Sequence, residues 1–111
     1  MGQPYTHGVW TVKPGREEEF VAAWAELADW TDREVPGSRW AKLLRDTAAP
    51  NQFRSFGPWR DTEAIEKWRA LPGFQQRVER IRALLDGFEP HTLDLVVEVG
   101  QRDGAGGGDE L

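Results

Sequence analysis

The sequence predicts an α+β domain with the ferredoxin-like order of elements β-α-β-β-α(α)-β. Two observations support this prediction. Short runs rich in β-branched and aromatic residues recur along the chain, and segments with helically spaced apolar residues separate them. The length of 111 residues suits one domain with one modest core. This order of elements usually forms a four-stranded antiparallel sheet with its helices on one face.

The first half of the chain is predicted to form a strand, a helix and a second strand. Residues 5–12 form the first strand, and Pro14-Gly15 turns the chain. The helix covers residues 16–33 and begins with three glutamates, which favour a helix N-terminus. Its buried stripe is Phe20, Trp24, Leu27 and Thr31. The second strand is predicted over residues 39–46.

The second half of the chain repeats the pattern with a divided helix. Residues 52–59 form the third strand, and Asp61 is a suitable N-cap for the helix that follows. Pro72-Gly73 is predicted to break this helix before a second one begins near Phe74. The last strand is predicted over residues 91–99, where Leu93, Leu95, Val97 and Val99 alternate.

Composition excludes several classes of function. The formal net charge is −5 and no run of Lys or Arg stands out, which argues against a nucleic-acid partner. The chain has no cysteine, no apolar run of transmembrane length and no apolar signal segment at its start. We therefore expect a cytoplasmic protein without a membrane partner. We expect residues 1–99 to form the domain and the Gly-rich residues 100–111 to be a disordered tail.

One face of the predicted sheet would remain uncovered by helices. Val9, Leu43, Phe56 and Val96 are the apolar residues expected on that face. A large exposed apolar patch usually marks a protein interface. The sequence therefore predicts a homodimer formed by packing sheet on sheet.

The most informative stretch is FRSFGPWRDTEAIEKWRALPGF, residues 53–74. Its aromatic residues either fill the core or line a cavity for a flat aromatic guest, and the sequence leaves both interpretations open. The candidate lining residues, with Trp24 and Gly8 from other elements, are Phe53, Ser55, Trp59, Trp68 and Phe74.

His7 is the candidate general base, because histidine ordinarily accepts a proton near neutral pH. Its alternative interpretation is a solvated or interface histidine. A register shift of one residue would move it to the opposite face of the sheet. His7 and His91, without any cysteine, have no recognisable metal-ligand spacing, so we predict no metal site.

The segments VKPGREEEF, PGSRWAKLLRD, FGPWRDTEAIEKW and LPGF resemble, in this order, the antibiotic biosynthesis monooxygenase (ABM) family. The resemblance covers residues 6–99. It implies a dimeric α+β barrel. Its anthrone-oxidising members are similar to oxygenases that use neither metal, flavin nor nicotinamide. The resemblance therefore implies a small aromatic substrate, polyketide-like or a quinol, with molecular oxygen as the second substrate and no cofactor.

The resemblance also implies roles for particular residues. Trp59 falls at the strand-end tryptophan whose N–H points at the guest, and here it would stabilise an anion. Ser55 stands where those members usually carry an asparagine, and can still donate one hydrogen bond. Gly8 stands at a second asparagine position in the first strand.

Two other functions remain alternatives at this point. One is a catalytically silent dimer that binds an aromatic metabolite or serves as a structural subunit. The other follows from a haem-degrading branch of the family, which Trp68 resembles. Val78 stands where that branch carries its haem-ligating histidine, so haem binding is the third choice.

Overall fold

The computed structural model describes residues 2–100, which form the predicted α+β arrangement. Along the chain the elements are β1 (Pro4–Val12), α1 (Glu17–Glu34), β2 (Lys42–Arg45), β3 (Gln52–Pro58), α2 (Thr62–Ala70), α3 (Pro72–Arg82) and β4 (Leu85–Asp94). Within this part of the chain, no helix combines the length and apolar character needed to cross a membrane. Of the predicted tail, only Gly100 falls inside the described residues.

The four strands form one antiparallel sheet in the order β2-β3-β1-β4. This order is that of the ferredoxin-like fold, so the predicted fold class is confirmed. The central strand β1 pairs with β3 through Gly8 and Ser55, and with β4 through Trp10 and Phe88. Strand alternation therefore places Gly8, Trp10 and Ser55 on the face that the helices cover.

Helix α1 packs on the sheet through the stripe that its sequence predicts. Phe20, Leu27 and Thr31 are buried, and Trp24 is half-buried beside them. Phe20 packs against Trp10 and Phe53 of the sheet, with ring centroids 5.4 and 4.9 Å apart. The inward side chains of β1, β3 and α1 thus share one core.

Helices α2 and α3 begin in two different ways, α2 after a side-chain N-cap and α3 at a proline. The side chain of Asp61 accepts a hydrogen bond of 2.8 Å from the backbone N–H of Ala64, which confirms the predicted N-cap of α2. Helix α3 begins at Pro72 itself, two residues before the predicted start. Proline suits the first helical turn, because its missing N–H has no helical partner there.

The position of the last strand differs from the prediction. Strand β4 covers Leu85–Asp94, whereas the alternation of apolar residues predicted 91–99. Pairing explains the difference, since Leu85 lies opposite Val12 and Asp94 opposite Pro4, the first residue of β1. Beyond Asp94, the Leu95 N–H still donates to the carbonyl of Gln3 at 2.9 Å. Three valines of the predicted strand lie beyond this end and are exposed: Val96 is 85% exposed, Val97 73% and Val99 88%.

The residues on the uncovered face of the sheet also differ from the prediction at two positions. Val9 and Phe56 lie there as predicted, but Leu43 pairs with Ser55 and packs against the core on the helix side. Val96 lies outside the sheet. Strand β2 is shorter than predicted, and Leu44, on the uncovered face opposite Arg54, is 54% exposed.

Candidate active site

A cavity of about 440 Å³ lies between the sheet and the helices. Its floor includes Thr6, Gly8 and Trp10 of β1 together with Ser55 of β3. The walls come from the helices, from the end of β3 and from β4, and include Trp24, Leu27, Thr31, Trp59, Trp68, Phe74, Val78 and Phe88. The lining is predominantly aromatic and apolar, with a few hydroxyl groups at defined places.

The aromatic wall predicted from residues 53–74 exists for three of its members. The rings of Trp59 and Trp68 are 4.8 Å apart, and the rings of Trp68 and Phe74 are 4.5 Å apart. Helices α2 and α3 bring Trp68 and Phe74 to the end of β3, where Trp59 follows the strand. These three rings offer a continuous apolar surface to a flat guest.

Three indole N–H groups at the cavity each donate to a hydroxyl oxygen. Trp59 donates to Thr6 at 3.2 Å, Trp68 donates to Thr31 at 3.0 Å, and Trp10 donates to Ser55 at 2.9 Å. Each pair joins residues far apart in the sequence. Buried indole N–H groups usually require such partners, because an unpaired donor is costly.

Trp59 is almost fully buried, with 3% of its surface exposed. Its backbone N–H donates to the carbonyl of Pro4 at 2.9 Å, which ties the end of β3 to the start of β1. The indole N–H, expected to point at a guest, donates instead to the Thr6 hydroxyl. The distance of 3.2 Å lies at the long end of the normal range for such bonds.

Ser55 lies on the cavity floor beside two residues that shape its surroundings. A Cβ placed on Gly8 would lie 2.8 Å from Trp10 Nε1 and 2.9 Å from Ser55 Oγ. At these distances one of the two side chains would have to shift, so glycine at this position keeps the space in which the Trp10 indole meets the serine hydroxyl. Gly8 and Ser55 thus belong to one local arrangement with Trp10.

Trp10 and Thr6 were missed by sequence reasoning. Their spacing from Gly8 could have identified them, because Thr6, Gly8 and Trp10 alternate along β1 and share one face. Thr31 was recognised only as part of the buried stripe of α1. Its hydroxyl partners Trp68 and also donates to the carbonyl of Leu27 at 2.8 Å.

His7 is among the residues that border the cavity, but its ring does not point toward the side chains of the other predicted catalytic residues. It precedes Gly8 in β1, so its ring lies on the opposite face of the sheet from Ser55. There it stacks on Phe56 at 4.6 Å and on His91 at 5.7 Å. Its Nδ1 lies 3.2 Å from the backbone carbonyl oxygen of Ser55. The one-residue alternation of the strand therefore turns the His7 ring away from the Ser55 side chain.

Of the predicted guest-binding residues, Phe53 is placed elsewhere in the core. It is buried against Phe20, and the guanidinium of Arg45 lies 4.8 Å from its ring centroid. Phe53 borders a separate surface cleft beside Val21 and Leu43 rather than the main cavity. Trp24 borders both spaces, so it is a core residue and a cavity wall together.

Four charged residues border the cavity, namely Asp29, Asp32, Arg39 and Arg69. Asp29 is paired with Arg33 at 3.1 Å. Partial burial lowers the pKa of Arg69 from its ordinary value, although the guanidinium stays charged at neutral pH. Within residues 2–100, neither Asp32 nor Arg69 has an oppositely charged partner within 4.0 Å.

No group of three or more acidic or histidine side chains is placed to hold a metal ion within residues 2–100. Haem ligation would need a strong donor on α3, where the sequence offers Val78. Val78 is buried in the core beside Ile81. Its side chain has no atom that could ligate iron.

The sequence model for antibiotic biosynthesis monooxygenases matches residues 5–80, which span β1 to α3. The chain belongs to the antibiotic biosynthesis monooxygenase family. This ABM match includes Trp59, Ser55 and the whole of the aromatic wall. A search of curated proteins found no match.

Solved structures agree with this ABM assignment. SnoaB, a cofactor-independent oxygenase from Streptomyces nogalater, is 25% identical to this chain with a TM-score of 0.82. The match covers 91% of this chain and 100% of SnoaB. A protein from Shewanella oneidensis, SO0527, is 21% identical with a TM-score of 0.78, covering 87% of this chain and 94% of its own. The second likeness supports the fold alone.

Proposed function

We propose that this protein is a cofactor-independent monooxygenase that oxidises a flat, electron-rich aromatic molecule, polyketide-like or a quinol, with molecular oxygen. The observation that carries the proposal is the aromatic cavity of about 440 Å³ with hydroxyl groups on its floor. Small-molecule sites usually enclose about 300–1,000 Å³ and combine apolar walls with a few placed polar groups. The likeness to SnoaB supports the same class of reaction.

For an anthrone-like substrate, the proposed reaction balances with the substrate and oxygen alone. The substrate loses a proton from a methylene carbon between aromatic rings, and the resulting carbanion transfers one electron to O2. The two radicals combine to form a C–O bond, and the peroxide takes up the proton. Loss of water then leaves a carbonyl on the former methylene carbon. The product is a quinone, and one atom of O2 leaves as water.

The protein's part is to bind the guest, exclude water and stabilise the anion. The rings of Trp59, Trp68 and Phe74 would contact the flat faces of the guest. The Ser55 hydroxyl would donate to the oxygen on which the negative charge of the carbanion is delocalised. Trp59 would be a second donor if its long hydrogen bond to Thr6 were exchanged for one to the guest. Donors fixed before the reaction stabilise developing charge most effectively.

In this proposal the proton acceptor is a group whose side chain lies on the cavity side of the sheet, and not His7. His7 lies on the other face of the sheet, and Asp29 is already paired with Arg33. Asp32 borders the cavity and has no cationic partner within 4.0 Å in residues 2–100. We assign the acceptor role to Asp32, and Asp32→Asn should then slow oxidation without weakening the binding of the quinone product.

Oxygen uptake tests the proposal directly. Purified protein freed of metals is mixed with a panel of anthrones and quinols, and uptake is compared with the spontaneous rate. We expect uptake above that rate, reduced about tenfold or more by Trp59→Phe. Trp30→Phe is the matched control, because Trp30 packs outside the cavity lining, with Arg77 over its ring. Uptake equal in Trp59→Phe and wild type would contradict the role of Trp59.

A non-catalytic binding module is the second candidate. The observation that favours it is the indole N–H of Trp59, which is already bonded within the protein to Thr6. Such a module would bind the quinone product and the reduced substrate with similar affinity and would leave oxygen uptake at the spontaneous rate. Calorimetric titration of both compounds beside the uptake assay separates the two functions.

We also propose that the uncovered sheet face forms a homodimer. Val9 and Phe56 lie on this face, together with the exposed leucines Leu44 and Leu93. Sheet-on-sheet packing would cover this apolar surface. Sedimentation equilibrium should give twice the mass of one chain, and Leu93→Arg should shift the equilibrium toward monomer. A wild-type monomer at micromolar concentration would refute the proposal.

A further inference from the structure

The three indole–hydroxyl pairs differ in what the hydroxyl does with its own proton. The Thr31 hydroxyl donates to the carbonyl of Leu27 at 2.8 Å, and the Thr6 hydroxyl donates to the carbonyl of Gly57 at 3.3 Å. Both threonine hydroxyls therefore accept a hydrogen bond from an indole N–H and donate one to a backbone carbonyl oxygen. Within residues 2–100, the Ser55 hydroxyl accepts from Trp10 and donates to no protein acceptor.

A hydroxyl group has one proton and two acceptor positions. Because Trp10 occupies an acceptor position of Ser55, the serine cannot turn its own proton toward the indole nitrogen. The Ser55 side chain borders the cavity, so the remaining direction for its O–H includes the space where a guest would lie. Trp10 thus converts a freely rotating hydroxyl into a donor with a restricted orientation.

The Trp10 ring is held firmly enough to impose this orientation. It stacks on Phe88 with ring centroids 4.2 Å apart and an interplanar angle of 28°. The ring centroid of Phe20 lies 5.4 Å from that of Trp10, and only 5% of the Trp10 surface is exposed. Gly8 leaves the space in which the indole nitrogen reaches Ser55 Oγ. A group fixed by packing positions its partner better than a mobile one does.

We propose that Trp10 is a positioning residue that, with Gly8, directs the Ser55 hydroxyl toward a carbonyl or phenolate oxygen of the guest. This inference rests on the proposed function, since it requires an aromatic guest in the cavity. It assigns Trp10 a role through Ser55 rather than direct contact with the reacting atoms. Gly8 and Ser55 together would then favour the binding of guests that carry an oxygen acceptor.

The test compares two probes that differ in their ring oxygens. Anthraquinone-2-sulfonate has two ring carbonyls, and anthracene-2-sulfonate has the same three-ring skeleton and sulfonate without them. Equilibrium dialysis gives both dissociation constants, and their ratio measures the preference for oxygen. We expect Ser55→Ala to reduce this preference about tenfold, the usual worth of one hydrogen bond. Trp10→Phe should reduce it about three- to tenfold.

Two further variants separate positioning from packing. Gly8→Ala keeps both Trp10 and Ser55 but forces them apart, and it should reduce the preference as Trp10→Phe does. This variant carries the test if circular dichroism shows that Trp10→Phe is unfolded. The double variant of Trp10→Phe and Ser55→Ala should lose no more preference than Ser55→Ala alone, because both changes remove one function.

Trp68→Phe is the matched control among the three indoles. This variant removes the hydrogen bond from Trp68 to Thr31, while the Thr31 hydroxyl still donates to the carbonyl of Leu27. The affinities for both probes should therefore fall together, and the ratio of the two dissociation constants should stay the same. An unchanged ratio in Trp10→Phe and Gly8→Ala would overturn the role of Trp10 while leaving the aromatic site intact. Failure of both probes to bind the wild-type protein would overturn the inference and the proposed function together.

Discussion

Two aromatic regions on the same side of the sheet have opposite packing. Around Phe20, the rings of Trp10 and Phe53 and the side chains of Val12 and Ile81 are buried against one another. Around Trp68, comparable rings enclose a cavity. The difference shows that aromatic content alone does not decide between core and site. Within residues 2–100, the three indole–hydroxyl pairs all border the cavity, including that of Trp10, whose ring lies between the two regions.

Truncation of Phe20 should have the largest effect in this comparison. Phe20→Ala leaves a void at a fully buried position, and we expect a loss of about 3–5 kcal/mol in the free energy of unfolding. Trp24→Ala should cost less, although it removes a larger ring, because Trp24 is half-buried and borders existing space. Urea unfolding of both variants gives the two values. An equal or larger loss for Trp24→Ala would mean that the cavity is filled in solution.

Removal of the Thr31 hydroxyl tests the region around the cavity, and its expected effect on stability is intermediate in size. Thr31→Val keeps the shape of the side chain but leaves the Trp68 N–H without its acceptor. Since Thr31 is only 7% exposed, we expect a loss of about 1–3 kcal/mol in the free energy of unfolding. Thr11→Val, on the uncovered face of the sheet, serves as the control. A loss below that of the control would show that water replaces the hydroxyl.

The N-cap of α2 gives the smallest expected effect and depends on pH. The hydrogen bond from Ala64 lowers the pKa of Asp61, and Arg60 lowers it further despite opposing desolvation. The folded pKa lies below the unfolded one, so ionised Asp61 stabilises the fold above about pH 4. This contribution is lost as pH falls through the folded pKa. The melting temperature of wild type minus that of Asp61→Asn should therefore decrease between about pH 4 and pH 2. A difference that is constant with pH would contradict this linkage.

Local patterns predicted the elements that local chemistry controls. The stripe of α1 follows from helical spacing, and the start of α2 follows from Asp61, whose cap involves a residue three positions away. The aromatic wall from Trp59 to Phe74 was also predictable, because α2 and α3 follow β3 directly in the chain. Each of these features depends on residues close together in sequence.

The remaining features required the pairing of distant segments. The alternating residues after Asp94 looked like a strand, but the paired residues of β1 and β4 end at Pro4 and Asp94. His7 lay one position from the cavity side, and register placed it on the other face. The bond between Trp10 and Ser55 joins residues 45 positions apart.

The sequence by itself determined the order of the elements, the caps and turns between them, and the family to which the chain belongs. Only the tertiary structure decided which aromatic rings fill the core and which line a cavity. It also decided which hydroxyl meets each indole. The physical reason is that periodicity records which face of an element is buried, whereas the register between strands decides which side chains of two buried faces meet.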